Sequence, residues 1–372
     1  MQSTLTPEAI LSTLRSLIAF KTTDDNRPEM FRCIEWIHSQ FPGGFHIERF
    51  ESGGIPSILI ANRPGRSFDL ILTGHLDVAR RPVTTYEAVI RDDRVYGDGA
   101  FDMKGICAVM LEWMRCFGAA HPSAIALIFT MDEEAGGTDG SKYLLEHVGI
   151  RARAVVIPDG GYPEQITYGE KGWFPVLCTA VGKPARGSAP WRGVNALDVL
   201  IEQYMHLQSV FPSGLSDENN WHPTCTLIDL EICDKDDLDD ALIQKATCIL
   251  DISYTQPGED EVLIEAMRRA APLLTIDRSD LYTPVELVLI DPGHPVIECF
   301  NASVEAVEGQ RWPLKRENGS SDARFYLPHG VPPLIFQANG AEAHLAGEWV
   351  SMESLLRCGR ILNEFCDRWA KV

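Results

Sequence analysis

The sequence predicts an α/β protein whose mostly parallel sheet is flanked by helices and whose chain carries a smaller inserted domain. Three observations lead to this fold class. Short apolar segments alternate with helical patterns in the first part of the chain, the middle follows a different order, and the tail returns to the first pattern. Strands that alternate with helices in this way are typical of a parallel sheet covered on both faces.

The first part of the chain begins with a predicted amphipathic helix. Thr6 is a suitable N-cap, and Pro7 fits the first helical position, where a missing N–H costs nothing. Apolar runs and helical periodicity predict five further elements. They are strands at 68–73, 124–131 and 153–157, and helices over 104–117 and near 140–148.

The middle of the chain contains six predicted elements in the order strand, helix, strand, strand, helix, strand. They lie at 173–180, 195–208, 224–232, 245–254, 259–274 and 284–290. This βαββαβ order is typical of a small ferredoxin-like sandwich domain.

The tail resumes the α/β pattern of the first part. Its predicted elements are a helix near 295–308, a strand at 333–337 and a C-terminal helix from about 351. We therefore predict that residues 1–170 and 288–372 form one domain, and that residues 171–287 form a domain inserted into it.

The bulk composition limits the classes of partner. Asp and Glu number 53 against 33 Lys and Arg, which gives a formal net charge of −20. So acidic a chain disfavours nucleic acid or an anionic membrane as partner, and no stretch is long and apolar enough to span a bilayer. The ten cysteines form no CxxC pair. We therefore expect reduced thiols in a cytoplasmic protein.

Histidine and carboxylate residues follow four of the predicted strands. They are His75 and Asp77 after the first strand, Glu133 and Glu134 after the second, Asp159 after the third, and His344 shortly after the strand at 333–337. Each one alone is more often a structural or surface residue. Open α/β sheets, however, bind ligands at the carboxyl ends of their strands. Because all six residues are expected at that edge, we predict that they form a functional site.

Five motifs resemble the M20 family of metallopeptidases, which includes deacylases, carboxypeptidases and dipeptidases. They are GHLDVA, YGDGAFDMKG (96–105), MDEEAGG, GSSDARFY (319–326) and AHLAGEWV (343–350). The resemblance covers nearly the whole chain in the family's order. It implies a zinc exopeptidase-like catalytic domain with an inserted dimerisation or lid domain.

The resemblance implies two divalent metal ions with overlapping ligand sets. His75, Asp102 and Asp159 would hold one ion, and Asp102, Glu134 and His344 the other, with Asp102 shared. Imidazole and carboxylate ligands without thiolate suit zinc, with cobalt or manganese as alternatives.

The same resemblance assigns roles to the residues around the metals. Asp77 would orient the imidazole of a ligand, and Glu133 would be the general base. The implied substrate-binding residues are Arg324, Ser321 and Asn195. Arg324 suits the capture of a substrate carboxylate. Alternatively, it pairs with a neighbouring acid such as Asp322 as part of the structure.

The chain departs from the family's pattern chiefly on the substrate side. Arg186 in GKPARGSAP (182–190) stands where the family usually has a His that reaches across a dimer towards the oxyanion. Three further positions of the inserted domain differ from the family's usual Asn, Pro and Arg: Ala241, Gln244 and Ser253. Asp159 stands where the deacylases usually have Glu, and Asp is more typical of the peptidase members.

The sequence therefore predicts a dinuclear zinc amidohydrolase that cleaves a small N-acyl amino acid or a similar amide and forms a homodimer through the inserted domain. Two alternatives stay open: a dipeptidase or carboxypeptidase of the same family, and a non-catalytic metal-binding relative. The presence of Glu133 disfavours the non-catalytic alternative, whereas the altered inserted domain favours it.

Overall fold

The computed structural model describes residues 5–81, 84–212, 221–233 and 242–372. The chain divides into two compact units. The first comprises the residues up to Gly169 together with Leu289–Val372, and the second is Glu170–Val288.

The described residues form nine α-helices, and the first begins as the sequence predicts. The Oγ1 of Thr6 accepts the N–H of Ala9 at 3.2 Å, and Pro7 is the first helical residue. In chain order the helices are α1 (Pro7–Ala19), α2 (Arg27–Ser39), α3 (Gly105–Phe117), α4 (Tyr143–Glu146), α5 (Ala196–Gln208), α6 (Glu259–Ala270), α7 (Pro295–Glu308), α8 (Ala323–Tyr326) and α9 (Met352–Trp369).

The strands of the first unit belong to one large sheet and two small ones. In chain order they are β1 (His46–Ser52), β2 (Ile55–Ala61), β3 (Ser67–Phe68), β4 (Leu70–His75), β5 (Val89–Arg91), β6 (Arg94–Tyr96), β7 (Ile125–Thr130), β8 (Arg151–Ala152), β9 (Val155–Ile157), β10 (Ile166–Glu170), β15 (Val288–Leu289), β16 (Leu314–Glu317), β17 (Pro333–Phe336), β18 (Gly340–Ala341) and β19 (Trp349–Ser351). Strands β15 and β10 reach across the unit boundary by one residue each.

The large sheet has a parallel centre with antiparallel edges, as the fold prediction requires. Its order is β1-β2-β7-β4-β9-β17-β10-β15, with β16 paired to β10. Strands β7, β4, β9 and β17 are parallel neighbours, whereas β2 and β10 add to them antiparallel. Strands β4 and β7 are buried along their whole length, as is typical of the parallel strands of a sheet that is covered on both faces. The carboxyl ends of four adjacent strands therefore meet at one edge.

The second unit has the predicted βαββαβ order. Its strands are β11 (Gly172–Val181), β12 (Thr224–Cys233), β13 (Lys245–Tyr254) and β14 (Thr275–Arg278). They form a four-stranded antiparallel sheet in the order β12-β13-β11-β14. Apolar residues of these strands and of α5 and α6 form its separate core, which includes Phe174, Leu250 and Met267.

The predicted strand at 284–290 was wrong as the last strand of the inserted sheet. That strand is β14, a polar edge strand in which only Ile276 is buried. Edge strands have a hydrogen-bonded neighbour on one side only and often carry charged residues that prevent further pairing, so their apolar pattern is weak. The apolar run at 287–290 instead enters the large sheet as β15, where the N–H of Ile290 donates to the carbonyl of Tyr168.

Two further sequence predictions concern membrane spans and cysteines. Among the described residues, no helix has the length and apolar character needed to cross a bilayer. The nine cysteines whose side chains the structure describes are all free, and six of them are buried.

Candidate metal centre

The large sheet places three of the predicted ligands, His75, Glu134 and Asp159, at one edge. His75 is the last residue of β4 and lies in register with Thr130, the last residue of β7. Glu134 follows β7 and Asp159 follows β9, while His344 lies in the loop between β18 and β19. Parallel neighbouring strands point their carboxyl ends the same way, so residues far apart in the chain meet here.

Asp102 lies between the two imidazoles. Its Oδ1 is 3.1 Å from the Nε2 of His75, and its Oδ2 is 3.2 Å from the Nε2 of His344. The Nε2 of His344 is also 2.8 Å from the Oε1 of Glu134, and the Nε2 of His75 is 3.9 Å from the Oδ2 of Asp159. All five predicted ligands therefore belong to one cluster around a central carboxylate.

Asp77 is buried behind the ligands and organises two of the strand ends. Its carboxylate accepts the N–H of Glu133 at 3.3 Å and that of Glu134 at 3.0 Å. The Nδ1 of His75 lies 3.1 Å from the carbonyl of Asp77 and 3.4 Å from its Oδ1. A hydrogen bond at Nδ1 leaves Nε2 as the metal-binding nitrogen, since the tautomer of a ligating imidazole is set by its other contact.

Glu133 lies beside Arg324 at the other side of the cluster. The Nη1 of Arg324 is 3.5 Å from the Oε1 of Glu133 and 3.3 Å from the Oγ of Ser320, and the guanidinium is almost fully buried. Ser321 is buried, and its Oγ accepts the N–H of Ala323 at the start of α8. The structure thus brings Arg324 and Glu133 together, while Ser321 supports the turn next to them.

Geometry alone allows Glu133 or Glu134 to act as a ligand. Donor atoms of His75, Glu133 and Asp159 lie within 4.8 Å of one another, and so do those of His75, Asp102 and Glu134. Arg324 makes the surroundings of the two glutamates different, because it contacts Glu133 and not Glu134. A guanidinium beside Glu133 repels a cation and disfavours metal binding there, whereas Glu134 contacts an imidazole.

Burial and charge raise the pKa values of two groups of the cluster, His344 and Glu133. Hydrogen bonds to Asp102 and Glu134 raise the pKa of His344 to about 10. Burial and the neighbouring Asp159 raise the pKa of Glu133 well above its usual range. Both groups therefore keep their protons to higher pH than free side chains do, His344 because of its carboxylate partners and Glu133 chiefly because of its burial.

This excess of acid fits the binding of divalent cations. Five carboxylates of the cluster face only two imidazoles and one guanidinium: they are Asp77, Asp102, Glu133, Glu134 and Asp159. Buried charge must be paired or coordinate a metal. The donor atoms are imidazole nitrogens and carboxylate oxygens, a set that suits zinc, cobalt or manganese.

Several buried residues around the centre were not predicted as site residues. Asp132 and Asp322 lie next to predicted residues within two of the quoted motifs, and burial together with Asp322 raises the pKa of Asp132 to about 7. The Oγ of Ser141 donates to Asp322 at 2.5 Å. Glu348 and Arg81 form a buried ion pair at 2.7 Å. The motif AHLAGEWV contained a signal for Glu348, but no local pattern distinguished Arg81.

The remaining predicted residues belong to the second unit. Arg186 is exposed, and among the described residues no carboxylate forms an ion pair with it. Asn195 caps α5, because its Oδ1 accepts the N–H of Leu197 at 3.1 Å. Of the three further positions that differ from the family, Gln244 precedes β13, Ser253 lies within β13, and Ala241 lies outside the described residues.

Comparison with known proteins finds relatives that match most of the chain. The chain is 27% identical over 340 residues to a succinyl-diaminopimelate desuccinylase of Acidiphilium cryptum. The alignment covers 87% of this chain and 89% of the relative. A desuccinylase of Rhodospirillum centenum is 25% identical over 358 residues, with 91% and 92% covered.

Solved structures show the same fold at low sequence identity. A tripeptidase from Staphylococcus aureus superposes with a TM-score of 0.81 at 18% identity, over 99% of this chain and all of the other. An M20 family metallo-carboxypeptidase from Sulfolobus solfataricus gives a TM-score of 0.75 at 16% identity, over 98% and 99% of the two chains.

The family profile described as Peptidase family M20/M25/M40 matches residues 71–368. This range includes every predicted metal ligand, all of the second unit and most of the first. The protein therefore belongs to the M20/M25/M40 peptidase family and is a hydrolase that acts on amide or peptide bonds.

Proposed function

We propose that the protein is a dinuclear zinc amidohydrolase that removes the acyl group from a small N-acyl amino acid. The observation that carries the proposal is the position of Asp102, with one carboxylate oxygen towards each imidazole. A carboxylate that turns one oxygen towards each of two histidines could serve as a ligand to both of two neighbouring cations. The similarity to desuccinylases supports a deacylase among the activities of the family.

In this proposal His75, Asp102 and Asp159 hold one cation, and Asp102, Glu134 and His344 hold the other. When bound, the cations would supply Lewis acidity for the attacking water and the scissile carbonyl. The chain's own residues then perform the proton transfers and the positioning.

Glu133 is the proposed general base. Its carboxylate takes a proton from the attacking water and later gives a proton to the leaving amine, so that amide and water yield amine and carboxylate. Burial favours the protonated form of Glu133 once the proton has been taken up. Asp77 holds the backbone of Glu133 in place. Arg324, beside Glu133, is placed to bind a carboxylate of the substrate, with Ser321 supporting its turn.

A dipeptidase or carboxypeptidase is the second candidate. Asp159 favours it, because Asp at this position is more typical of the peptidase members of the family than of the deacylases. Family membership and the similarity to desuccinylases disfavour the third, non-catalytic alternative. The two enzymatic candidates share the metal centre and differ in the group on the acyl side of the bond. A panel of substrates therefore separates them.

The test uses the full-length protein reconstituted with zinc. Elemental analysis should find close to two metal ions per chain, and N-acyl amino acids with an acidic acyl group should be cleaved faster than dipeptides. One ion or none would contradict the dinuclear centre. Faster cleavage of dipeptides would replace the deacylase by the peptidase candidate.

We further propose that Arg186 acts on the substrate in place of the family's His. The segment 182–195 has three cations and no acid, and Arg186 has no carboxylate partner among the described residues. Arg186→Ala should lower kcat ~10²–10³-fold if the guanidinium stabilises the oxyanion. It should instead raise KM at nearly constant kcat if it binds a substrate carboxylate. Steady-state kinetics distinguish the two roles.

Lys183→Ala is the matched control for Arg186, because it removes an exposed cation from the same segment. If kcat and KM of Arg186→Ala both lie within about twofold of those of Lys183→Ala, Arg186 is a surface residue with no role in catalysis or substrate binding. A role in substrate binding for Asn195 is also a proposal, although its side-chain oxygen already caps α5.

We also propose that the protein is a homodimer through the second unit. Strand β12 is the edge of its sheet, and Ile228, Leu230 and Ile232 on that strand are 43%, 47% and 49% exposed. Exposed apolar edge strands pair with other chains unless they are covered, and an identical copy is the simplest partner. Light scattering that gives the mass of one chain would contradict the dimer.

The cytoplasm is the proposed location of the protein. The nine free thiols support it, because thiols persist in reducing compartments. Fractionation of cells that express the full-length protein tests this location. The acidic composition disfavours nucleic acid and an anionic membrane as partners, and the family supports a small-molecule amide as the substrate.

A further inference from the structure

Glu348 is a buried carboxylate that binds the backbone of the segment carrying Asp102. Its Oε1 accepts the N–H groups of Phe101 and Asp102, and its Oε2 accepts that of Gly99, each at 3.0 Å. Both oxygens of one side chain are therefore committed to one short segment. The position of Asp102 thus depends on a residue 246 positions further along the chain.

The segment needs this support because its backbone is irregular. Asp102 has φ −118° and ψ 95°, outside the helical region, although α3 begins only three residues later. Gly99 has φ 76°, a conformation that favours glycine. The N–H groups of such a segment have no helical acceptor, and buried N–H groups must be satisfied elsewhere. Glu348 supplies three of the missing acceptor contacts.

Arg81 connects this carboxylate to the loop that carries His344. Its Nη2 lies 2.7 Å from the Oε2 of Glu348 and 2.7 Å from the Oδ1 of Asp98. Its Nη1 donates to the carbonyl of Leu345, the residue after His344. The guanidinium is a planar fork with five donors, so one buried side chain holds three groups at set positions.

We propose that Glu348 and Arg81 are positioning residues that set the place of Asp102 relative to His344, and thereby the metal affinity of the centre. The inference rests on the proposed metal centre. Neither residue is a proposed ligand. Each acts through a segment that carries one: Glu348 through Gly99–Asp102, and Arg81 through the carbonyl next to His344. Loss of a partner that orients a metal ligand typically lowers metal affinity 10–100-fold.

The test compares Glu348→Gln with Glu112→Gln in the full-length, metal-free protein. Glu112 is a matched control because its carboxylate is also buried, accepts the hydroxyl of Thr13 at 2.5 Å and pairs with Arg115 at 2.8 Å. Co²⁺ is titrated into each protein. Calorimetry measures the affinity, and the visible absorption bands of bound Co²⁺ report the ligand geometry. Thermal unfolding of the metal-free proteins establishes that each variant is folded.

We expect Glu348→Gln to bind Co²⁺ ~10–100-fold more weakly, with altered visible bands, while Glu112→Gln binds like the wild type. The carboxamide has the same shape, but its NH₂ cannot accept a backbone N–H. Arg81→Lys should weaken binding in the same direction, because an ammonium keeps the charge but cannot span the three acceptors. Arg81→Lys decides the outcome if Glu348→Gln does not fold.

Two results would overturn this inference and leave the proposed metal centre intact. One is Co²⁺ affinity within about twofold of the wild type in the folded Glu348 and Arg81 variants. The other is equal weakening by Glu112→Gln, which would mean general destabilisation. Wild-type protein that binds no Co²⁺ would overturn the proposed metal centre and this inference together.

Discussion

Replacement of Glu133 by Gln should lower kcat by ~10²–10⁴-fold while both metal ions stay bound. General acid–base catalysis contributes about that much, which corresponds to about 3–5 kcal/mol of transition-state stabilisation. Gln cannot accept the proton of the attacking water. Glu133 lies beside Arg324, whereas Glu134 contacts the imidazole of His344 at 2.8 Å. Elemental analysis and steady-state kinetics on the zinc-loaded variant measure both effects.

Glu134→Gln is the matched partner of this experiment, because it makes the same change one residue away. It should weaken metal binding first and lower activity in consequence. The two backbone N–H groups keep their bonds to Asp77 in both variants, so the strand end should stay in place. Metal loss in Glu133→Gln with retention in Glu134→Gln would show that base and ligand are exchanged.

Asp102→Asn should remove both metal ions at zinc concentrations that saturate the wild type. Each oxygen of Asp102 faces a different imidazole, so one substitution affects both ligand sets. The carboxamide has the same size but is neutral, and it turns an NH₂ donor towards one of the sites. We expect affinity to fall by more than the ~10–100-fold that follows loss of an outer partner. Metal content per chain and hydrolytic activity are the measurements.

His344→Ala is the control, because it removes one ligand from a single set. About one ion per chain should remain, bound by His75, Asp102 and Asp159. Two ions retained in Asp102→Asn would refute the shared carboxylate. Loss of both ions in His344→Ala would mean that the two sites depend on each other more than their geometry implies.

Local patterns predicted most of the elements that carry the site. The apolar runs before His75 and Asp159 are short and continuous, which is typical of buried parallel strands, and β4 and β9 lie there. A polar edge strand such as β14 has no comparable signal.

Residues 46–61 carry no prediction from periodicity, although they form the hairpin β1–β2. The turn Gly53–Gly54 between two β-rich segments is a hairpin signal that was available in the sequence.

By itself, the sequence determined the α/β class, the insertion of a βαββαβ unit, the family and the candidate residues. Element type follows from periodicity over about ten neighbouring residues, and the motifs are short and contiguous. Only the tertiary structure decided that the two oxygens of Asp102 face different imidazoles, and that Glu348 and Arg81 hold the segments of Asp102 and His344. The contacts of Glu348 with Asp102 and with Arg81 join residues that lie 246 and 267 positions apart. Such pairs meet only after the strands have been ordered in the sheet, and no local pattern records that order.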